Sequence, residues 1–255
     1  MYINEYWGYN LKYLLFIKGE FGMKLNNPIR AIFFDLGWTI FRPLTGNWKI
    51  TTKALEYINL ENLHSISKER LHITFLKANE YLKMEIYKTE LEELERYMNY
   101  YKTIADELPE IKLTLKQAEI IAYDRVYNDS NYIFYEDAKK TMEALKEKYK
   151  IGIISDTDPS IIRVLKNAGF YDYFDDMTFN FELGVNKPNP VIFEQALKEM
   201  NVPAKETVFI DDYEINLDSA SNIGIQSILI LSRPNAQKSS RYLTINKLSD
   251  LLFIL

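Results

Sequence analysis

The stretch AIFFDLGWTIF, residues 31–41, determines how the rest of the sequence is interpreted. The four apolar residues at its start are typical of a buried strand. They run directly into the carboxylate of Asp35, after which the chain breaks into Gly37, Trp38 and Thr39. The stretch therefore predicts a strand with a charge at its end, and the rest of the chain should explain what that charge does.

Apolar runs of similar length predict further buried strands: IGII at 151–154, TVFI at 207–210 and SILIL at 227–231. Apolar residues at helical spacing occur between them, over residues 138–149, 159–168 and 190–200. A chain that alternates strand and helix forms right-handed crossovers. The pattern predicts an α/β fold with a Rossmann-like, mostly parallel sheet covered by helices on both faces.

Residues 45–130 differ, because they contain no good strand candidate. Apolar residues at steps of three and four, from Tyr87 through Leu91 to Leu108, predict a helix with one packing stripe. Thr114 and Gln117 match the capping box that opens another helix. We predict three parts: an N-terminal extension at 1–28, a core at 29–44 and 131–255, and an inserted α-helical cap at 45–130.

The first 22 residues are aromatic and unpatterned, and they precede a second methionine, Met23. The codons of Lys18, Gly19 and Glu20 can contain a ribosome-binding sequence at a suitable distance before Met23. One hypothesis is that Met23 is the biological start and that the leader is translated upstream DNA. The alternative is a real extension packed on the surface, and both stay open.

Composition limits the classes of function. The 255 residues include no cysteine, which excludes disulfides, thiolate metal sites and cysteine nucleophiles and makes a reducing cytoplasm the default location. A net charge of -5 argues against a nucleic-acid partner. No apolar run approaches the roughly 20 residues of a membrane-spanning helix. We expect a cytoplasmic protein with no nucleic-acid or membrane partner.

Polar residues follow three of the predicted strands. Asp35 follows the first, Ser155 and Asp156 the second, and Asp211 and Asp212 the third. In an open parallel sheet, ligands bind outside the carboxyl ends of the strands. Carboxylates crowded at one edge repel each other unless a cation lies between them, and oxygen ligands suit Mg²⁺. The convergence predicts a magnesium site at this edge.

Two Pro-containing pairs predict helix starts near the same edge. Asp158-Pro159 and Asn189-Pro190 each match an N-cap followed by proline at the first helical position. Lys187 lies shortly before the second pair. Helix N-termini favour anions, so a cation, a lysine and a hydroxyl beside them suit a phosphoryl group.

Four motifs in order resemble those of the haloacid dehalogenase-like (HAD) hydrolase superfamily. They are FFDLGWTI, GIISD, GVNKPNPVIF at 184–193 and VFIDDYEINLDSASNIGI at 208–225. Each motif is weak alone, but the ordered set is highly specific. The resemblance covers residues 31–225 and includes a helical cap inserted after the first motif.

The resemblance implies roles for the residues in these motifs. Asp35 would be the nucleophile that forms an aspartyl-phosphate intermediate, with Ser155 and Lys187 binding the phosphoryl oxygens. Mg²⁺ would be held by Asp35, Asp212 and the main-chain carbonyl of Gly37. Asp211 and Asn216 would help to fix the surroundings of the metal. Thr39 would steady the loop that carries the nucleophile, and Thr39 and Asp156 would also help to bind the substrate. The substrate would be a small phosphorylated metabolite.

Gly37 departs from the family pattern, because phosphatases of this family usually carry a second Asp there that acts as general acid and base. General acid-base catalysis typically raises the rate by roughly 10²–10⁴-fold.

Three interpretations stay open. The protein is a Mg²⁺-dependent phosphatase with a substitute acid such as Asp156, a water, or a leaving group that needs no proton. Alternatively it is a haloacid dehalogenase, which fits Gly37 better and the Asp211-Asp212 pair worse, or a catalytically weakened protein that binds a phosphorylated ligand.

Overall fold

The computed structural model describes residues 25–26, 28–58, 60–83 and 86–255. The two hypotheses about the leader at 1–22 and Met23 concern residues outside these ranges, as does most of the predicted extension at 1–28. Among the described residues, no helix is both long and apolar enough to cross a bilayer.

The main sheet has six parallel strands in the spatial order β5-β4-β1-β6-β7-β8. The part of the chain that the structure describes contains eight strands: β1 (Ala31–Phe34), β2 (Phe41–Pro43), β3 (Tyr132–Phe134), β4 (Lys150–Ser155), β5 (Asp176–Phe179), β6 (Thr207–Asp211), β7 (Gln226–Ile230) and β8 (Leu243–Ile245). The four predicted strands are confirmed as β1, β4, β6 and β7. The outer strands β5 and β8 were not predicted from the sequence.

Within the described residues, ten α-helices accompany the strands: α1 (Thr52–Tyr57), α2 (Leu60–Leu63), α3 (Lys68–Lys83), α4 (Glu90–Glu107), α5 (Leu115–Tyr127), α6 (Ala138–Lys146), α7 (Ile161–Asn167), α8 (Asn180–Leu183), α9 (Pro190–Met200) and α10 (Glu214–Asn222). Short 3₁₀ helices occur at Pro109–Ile111, Asp129–Asn131, Tyr171–Tyr173, Ala204–Glu206 and Leu248–Phe253. The three helices predicted between the core strands are present as α6, α7 and α9.

Strand β1 is at the centre of the sheet and is buried on both faces. Ile32 and Phe34 pack into one hydrophobic cluster, whereas Ala31 and Phe33 pack into a second cluster that also contains Phe193 of α9. Successive side chains of a strand point to opposite faces, so the two clusters lie on opposite sides of the sheet. This confirms the predicted α/β fold with both faces covered.

The helices between Thr52 and Tyr127 form a third hydrophobic cluster, separate from the two on the sheet. Helix α4 begins with a capping box between Thr89 and Glu92, and α5 begins with the predicted capping box between Thr114 and Gln117. The predicted stripe on α4 fails at Leu91, whose surface is 71% exposed. The first turn of α4 instead buries Glu93, because its carboxylate accepts hydrogen bonds from the amide and the hydroxyl of Ser160 in the core.

Strands β2 and β3 form a separate two-stranded antiparallel ribbon that sequence analysis did not predict. Phe41 pairs with Phe134, and Pro43 pairs with Tyr132. The chain therefore leaves for the helical segment and returns from it at one place. The proposed boundaries of the helical part, after residue 44 and before residue 131, lie directly beyond this ribbon and remain a proposal.

Candidate active site

The central strands bring three polar residues to one edge of the sheet. Strand β1 pairs in parallel with β4 on one side and β6 on the other, and Phe34 is in register with Ile153 and Ile210. Asp35 follows β1 directly, and its amide donates to the carbonyl of Ile210 at 2.9 Å. Ser155 and Asp211 end the two neighbouring strands, so they lie at the same edge as Asp35.

Lys187 lies between two carboxylates at this edge. Its ammonium donates to Oδ1 of Asp35 at 2.6 Å and to Oδ2 of Asp211 at 2.8 Å. The hydroxyl of Ser155 donates to the same Oδ1 of Asp35 at 2.9 Å. Burial alone would lower the pKa of Lys187, but the charges of Asp211, Asp35 and Asp156 outweigh it and raise that pKa above its usual value. Lys187 is therefore a charged, fixed ammonium beside Asp35.

Asp211 is fully buried behind Asp35 and is held from three sides. Besides Lys187, the side-chain amide of Asn216 donates to Oδ2 of Asp211 at 3.0 Å, and the backbone amide of Tyr213 donates to Oδ1 at 2.7 Å. A carboxylate with this many donors stays oriented. Asp211 and Asn216 thus hold Lys187 in position, next to the residues predicted to bind the metal.

Asp212 lines the same cavity as Asp35, and its carboxylate pairs with Nε of Arg233. Burial raises the pKa of Asp212 to about 7, and the nearby charges of Asp35 and Asp211 act in the same direction, against the opposing effect of Arg233. The edge thus concentrates more carboxylate charge than its buried ammonium balances. Arg233 is a site residue that sequence analysis missed, because nothing in its local sequence marks it.

The loop after Asp35 brings Gly37 against an indole ring. A Cβ atom added to Gly37 would lie 3.1 Å from Cζ2 of Trp48. The next residue, Trp38, adopts the left-handed conformation with φ of 60°, and its carbonyl accepts from the hydroxyl of Ser232. Both tryptophans line the cavity. Trp48 is a second residue that sequence analysis missed.

The two remaining predicted substrate-binding residues occupy different surroundings. Asp156 lines the cavity, and its Oδ1 accepts from the backbone amide of Lys187 at 3.0 Å. Thr39 is fully buried and does not line the cavity, and its hydroxyl has no hydrogen-bond partner among the described residues. The structure therefore brings Asp156 to the site but leaves Thr39 behind the loop.

The predicted N-cap at Asp158 is wrong. Helix α7 begins at Ile161, two residues later than the pattern indicated. The carboxylate of Asp158 instead accepts hydrogen bonds from Tyr87, from Tyr97 at 3.0 Å and from Arg125 at 2.9 Å. These three donors belong to the helical segment, and they take the carboxylate away from its own helix.

By contrast, the second predicted helix start is confirmed. Oδ1 of Asn189 accepts from the amide of Val191 at 3.0 Å, and Pro190 is the first residue of α9. This N-cap fixes where α9 begins, close behind Lys187 in the chain. The prediction succeeds here because the side chain of Asn189 caps its own helix and bonds no other described residue, so the local pattern decides the outcome.

A cavity of about 630 Å³ lies between the carboxyl edge of the sheet and the helical segment. Asp35, Ser155 and Lys187 line its floor, and residues of the helical segment line the opposite side: Lys49, Asn79, Leu82, Lys83, Tyr87, Tyr97 and Arg125. The cavity is large enough for a small metabolite. Four of the predicted site residues, Asp35, Ser155, Lys187 and Asp211, are joined by direct hydrogen bonds at its base.

The described residues contain no group of three or more His, Cys, Asp or Glu that could hold a metal ion. The predicted site needs fewer side chains, because it uses two carboxylates and a main-chain carbonyl. Mg²⁺ typically keeps several water ligands and takes only one or two carboxylates from the protein. The donor set at this edge is of that kind.

Comparison with known proteins gives a family and a fold. The family described as haloacid dehalogenase-like hydrolase matches residues 29–224. The chain is similar to the glyceraldehyde 3-phosphate phosphatase of Pyrococcus abyssi, with 26% identity over 210 residues that cover 78% of this chain and 80% of the relative.

Two crystal structures show the same fold. A dehalogenase superposes with a TM-score of 0.62 at 18% identity, covering 91% of this chain and 99% of the other. A HAD phosphatase from Thermococcus onnurineus superposes with a TM-score of 0.58 at 21% identity, covering 88% and 96%. Proteins named for two different activities thus share this architecture, and the overall shape alone does not separate the two.

Proposed function

The chain belongs to the haloacid dehalogenase-like hydrolase family, and on that basis we propose that this hydrolase is a Mg²⁺-dependent phosphatase acting through Asp35 on a small phosphorylated metabolite. The observation that carries the proposal is the fixing of one oxygen of Asp35 by both Lys187 and Ser155.

Asp35 has the geometry of a nucleophile. Both contacts go to Oδ1, and none of the described residues hydrogen-bonds Oδ2, although Asp35 lines the cavity. Oδ2 would attack phosphorus while the bond from phosphorus to the leaving oxygen breaks, which gives an aspartyl phosphate. Water would then release phosphate and restore the carboxylate. A carboxylate held at one oxygen has little freedom to lose on reaching the transition state.

Lys187 and Ser155 would bind the oxygens of the incoming phosphoryl group. The raised pKa of Lys187 keeps it protonated, so it lowers the repulsion between the negative nucleophile and the negative phosphate. Asp156 holds the backbone of Lys187 and Asp211 holds its ammonium. The two aspartates would therefore act by positioning Lys187.

The residues at this edge fit a magnesium ion. Asp35 and Asp212 supply carboxylate oxygens, Gly37 supplies a carbonyl, and Asp211 and Asn216 would support the site from behind. The three carboxylates exceed the buried positive charge of Lys187, so a divalent ion would relieve their repulsion. When bound, Mg²⁺ would neutralise charge on the transferring phosphoryl group.

Relatives and composition support the remaining parts of the proposal. The Pyrococcus abyssi relative is named for a three-carbon phosphate ester, which fits a small phosphorylated substrate but at 26% identity does not identify it. The helical segment would act as a cap that excludes water and selects the leaving group. A chain without cysteine fits a reducing cytoplasm.

Gly37 supports a second candidate, a haloacid dehalogenase, because displacement at carbon needs no acid at that position. One pair of assays separates the candidates: an aryl phosphate and 2-chloropropionate, each with Mg²⁺ and with EDTA. We expect phosphate release that EDTA abolishes and that Asp35→Asn eliminates, while the exposed control Asp172→Asn retains it. Chloride release without metal would support the dehalogenase. Binding of a phosphate mimic without either reaction would support a weakened, ligand-binding protein.

A further inference from the structure

The wall of the cavity beside Gly37 is built from aromatic rings. The ring of Trp48 lies 6.4 Å from Trp38, 5.8 Å from Phe41 and 6.1 Å from Tyr132, measured between centroids. All four side chains line the cavity. Trp38 comes from the loop after Asp35, and Phe41 and Tyr132 come from the β2-β3 ribbon, whereas Trp48 lies between β2 and α1. The core therefore supplies three of the four rings of this surface.

Trp48 also occupies the space that a side chain at position 37 would need. Its Cζ2 atom lies 3.1 Å from the place where a Cβ of residue 37 would be, which is tighter than most real contacts. The residue two places after Asp35 therefore contributes only backbone to the cavity. On this side of Asp35, the indole ring of Trp48 occupies the space that an acidic side chain at position 37 would need.

The other aspartates that line the cavity each have a partner among the described residues, and Asp212, a proposed metal ligand, pairs with Arg233. Asp158 is engaged by Tyr87, Tyr97 and Arg125. Asp156 holds the backbone of Lys187. Lys49 follows Trp48 in the chain, but its ammonium donates to Asn79 and lies 5.5 Å from the ring centroid of Tyr100, so it is directed toward the helices. A group leaving toward the aromatic wall would depart without a proton from the protein.

We propose that the substrates of this phosphatase are aryl phosphates whose ring packs against Trp48, an inference that rests on the proposed function. Oδ2 of Asp35 would bond to phosphorus, and the bond from phosphorus to the aryl oxygen would break with its electron pair. The phenolate formed takes its proton from solvent. Phenols have a pKa of about 10, far below that of alkanols, so a phenolate can leave unprotonated. Stacked or edge-on ring contacts add affinity for the same class.

The test compares kcat/KM for aryl phosphates of graded leaving-group pKa with kcat/KM for two glycerol phosphates. We expect aryl esters to react at least about 10²-fold faster than alkyl esters, the scale of a missing general acid. Among the aryl esters, the rate should fall steeply as leaving-group pKa rises. Equal rates for aryl and alkyl esters would overturn this inference and leave the phosphatase intact. Hydrolysis of neither class would overturn the proposed function, and the inference with it.

Variants test the ring contact. Trp48→Leu should reduce the aryl-to-alkyl ratio of kcat/KM by about 10-fold, the scale of one aromatic contact, mainly through KM, and Trp48→Phe should restore most of it. The exposed Phe253→Leu is the matched control and should leave the ratio unchanged. If Trp48→Leu does not fold, the affinities of wild type for phenylphosphonate and methylphosphonate test the same contact, and the phenyl compound should bind more tightly. An unchanged ratio in Trp48→Leu, or equal affinity of wild type for both phosphonates, would overturn the inference.

Discussion

Nζ of Lys187 lies 2.6 Å from Oδ1 of Asp35, although 152 positions separate the two residues in the chain. The same ammonium lies 2.8 Å from Asp211, and all three residues are buried. One lysine thus compensates two buried carboxylates. This relationship connects the stability of the fold with the chemistry of its candidate site.

Lys187→Met should reduce the free energy of unfolding by about 3–5 kcal/mol, because it leaves Asp35 and Asp211 buried without their counter-charge. Urea denaturation followed by circular dichroism measures the loss, and the exposed Lys205→Met is the control. The double variant Lys187→Met with Asp35→Asn should lose less than the sum of the two single changes. A loss below about 1 kcal/mol for Lys187→Met would show that water replaces the ammonium.

Gly37→Asp should not increase the hydrolysis of alkyl phosphates on its own, because the new Cβ would lie 3.1 Å from the ring of Trp48. Forcing the ring aside should cost about 1–3 kcal/mol of stability. Combined with Trp48→Ala, the aspartate gains room to act as an acid, and alkyl turnover should rise by about 10²-fold. Turnover of glycerol phosphates by both variants measures this. A large gain in the single variant would mean that Trp48 moves easily.

Arg233→Gln should lower the Mg²⁺ concentration that gives half-maximal activity. Arg233 pairs with the carboxylate of Asp212, one of the proposed metal ligands, so it competes with the ion. The arginine side chain is partly exposed, and such pairs are worth up to about 1 kcal/mol, which corresponds to about a 5-fold shift. A magnesium titration of phosphatase activity measures it, with Arg241→Gln as the exposed control. An increased requirement would mean that Arg233 orients Asp212 for the metal.

Glu93→Gln should make the protein less sensitive to alkaline pH. Burial raises the pKa of Glu93 to about 8, with the charge of Asp158 adding to it and Arg125 opposing. The folded state then binds a proton between pH 4.5 and about 8 that the unfolded state releases, so wild-type stability falls as pH rises through this range. Between pH 5 and pH 9, the free energy of unfolding of the variant should increase by at least about 1 kcal/mol relative to that of wild type.

The control for this prediction is the exposed Glu95→Gln on the same helix. Urea denaturation at pH 5, 7 and 9 gives the free energy of unfolding for the three proteins. If the difference in the free energy of unfolding between Glu93→Gln and wild type stays constant with pH, Glu93 is ionised throughout and is stabilised by Ser160 and Arg125.

The sequence predicted the centre of the fold better than its edges. Strands β1, β4, β6 and β7 carry continuous apolar runs, because both of their faces are buried. The outer strands β5 and β8 are short and include partly exposed residues, so their patterns do not stand out. Asp35, Ser155 and Asp211 were placed together for the same reason, since each directly follows or ends a strong strand.

Residues that act across the two parts of the molecule left no such signal. Arg125 and Asp158 are 33 positions apart, and only the packing of the helical segment on the core brings them together. The local pattern predicted that Asp158 caps a helix. One N-cap hydrogen bond is weaker than the hydrogen bonds that the carboxylate accepts from a buried guanidinium and two phenols. Trp48 was missed for a related reason, because an aromatic residue in a loop gives no indication of the glycine that it covers.

The ribbon of β2 and β3 has a consequence for how such molecules diversify. Because Phe41–Pro43 and Tyr132–Phe134 are hydrogen-bonded neighbours, the two ends of everything between them are about one strand spacing apart, or about 4.8 Å. A segment of different length or shape could therefore replace the present one between the same two strands. The entropic cost of closing a longer loop grows only slowly with its length. Asp35 can stay at the end of β1 while the helical segment between the two strands of the ribbon is exchanged.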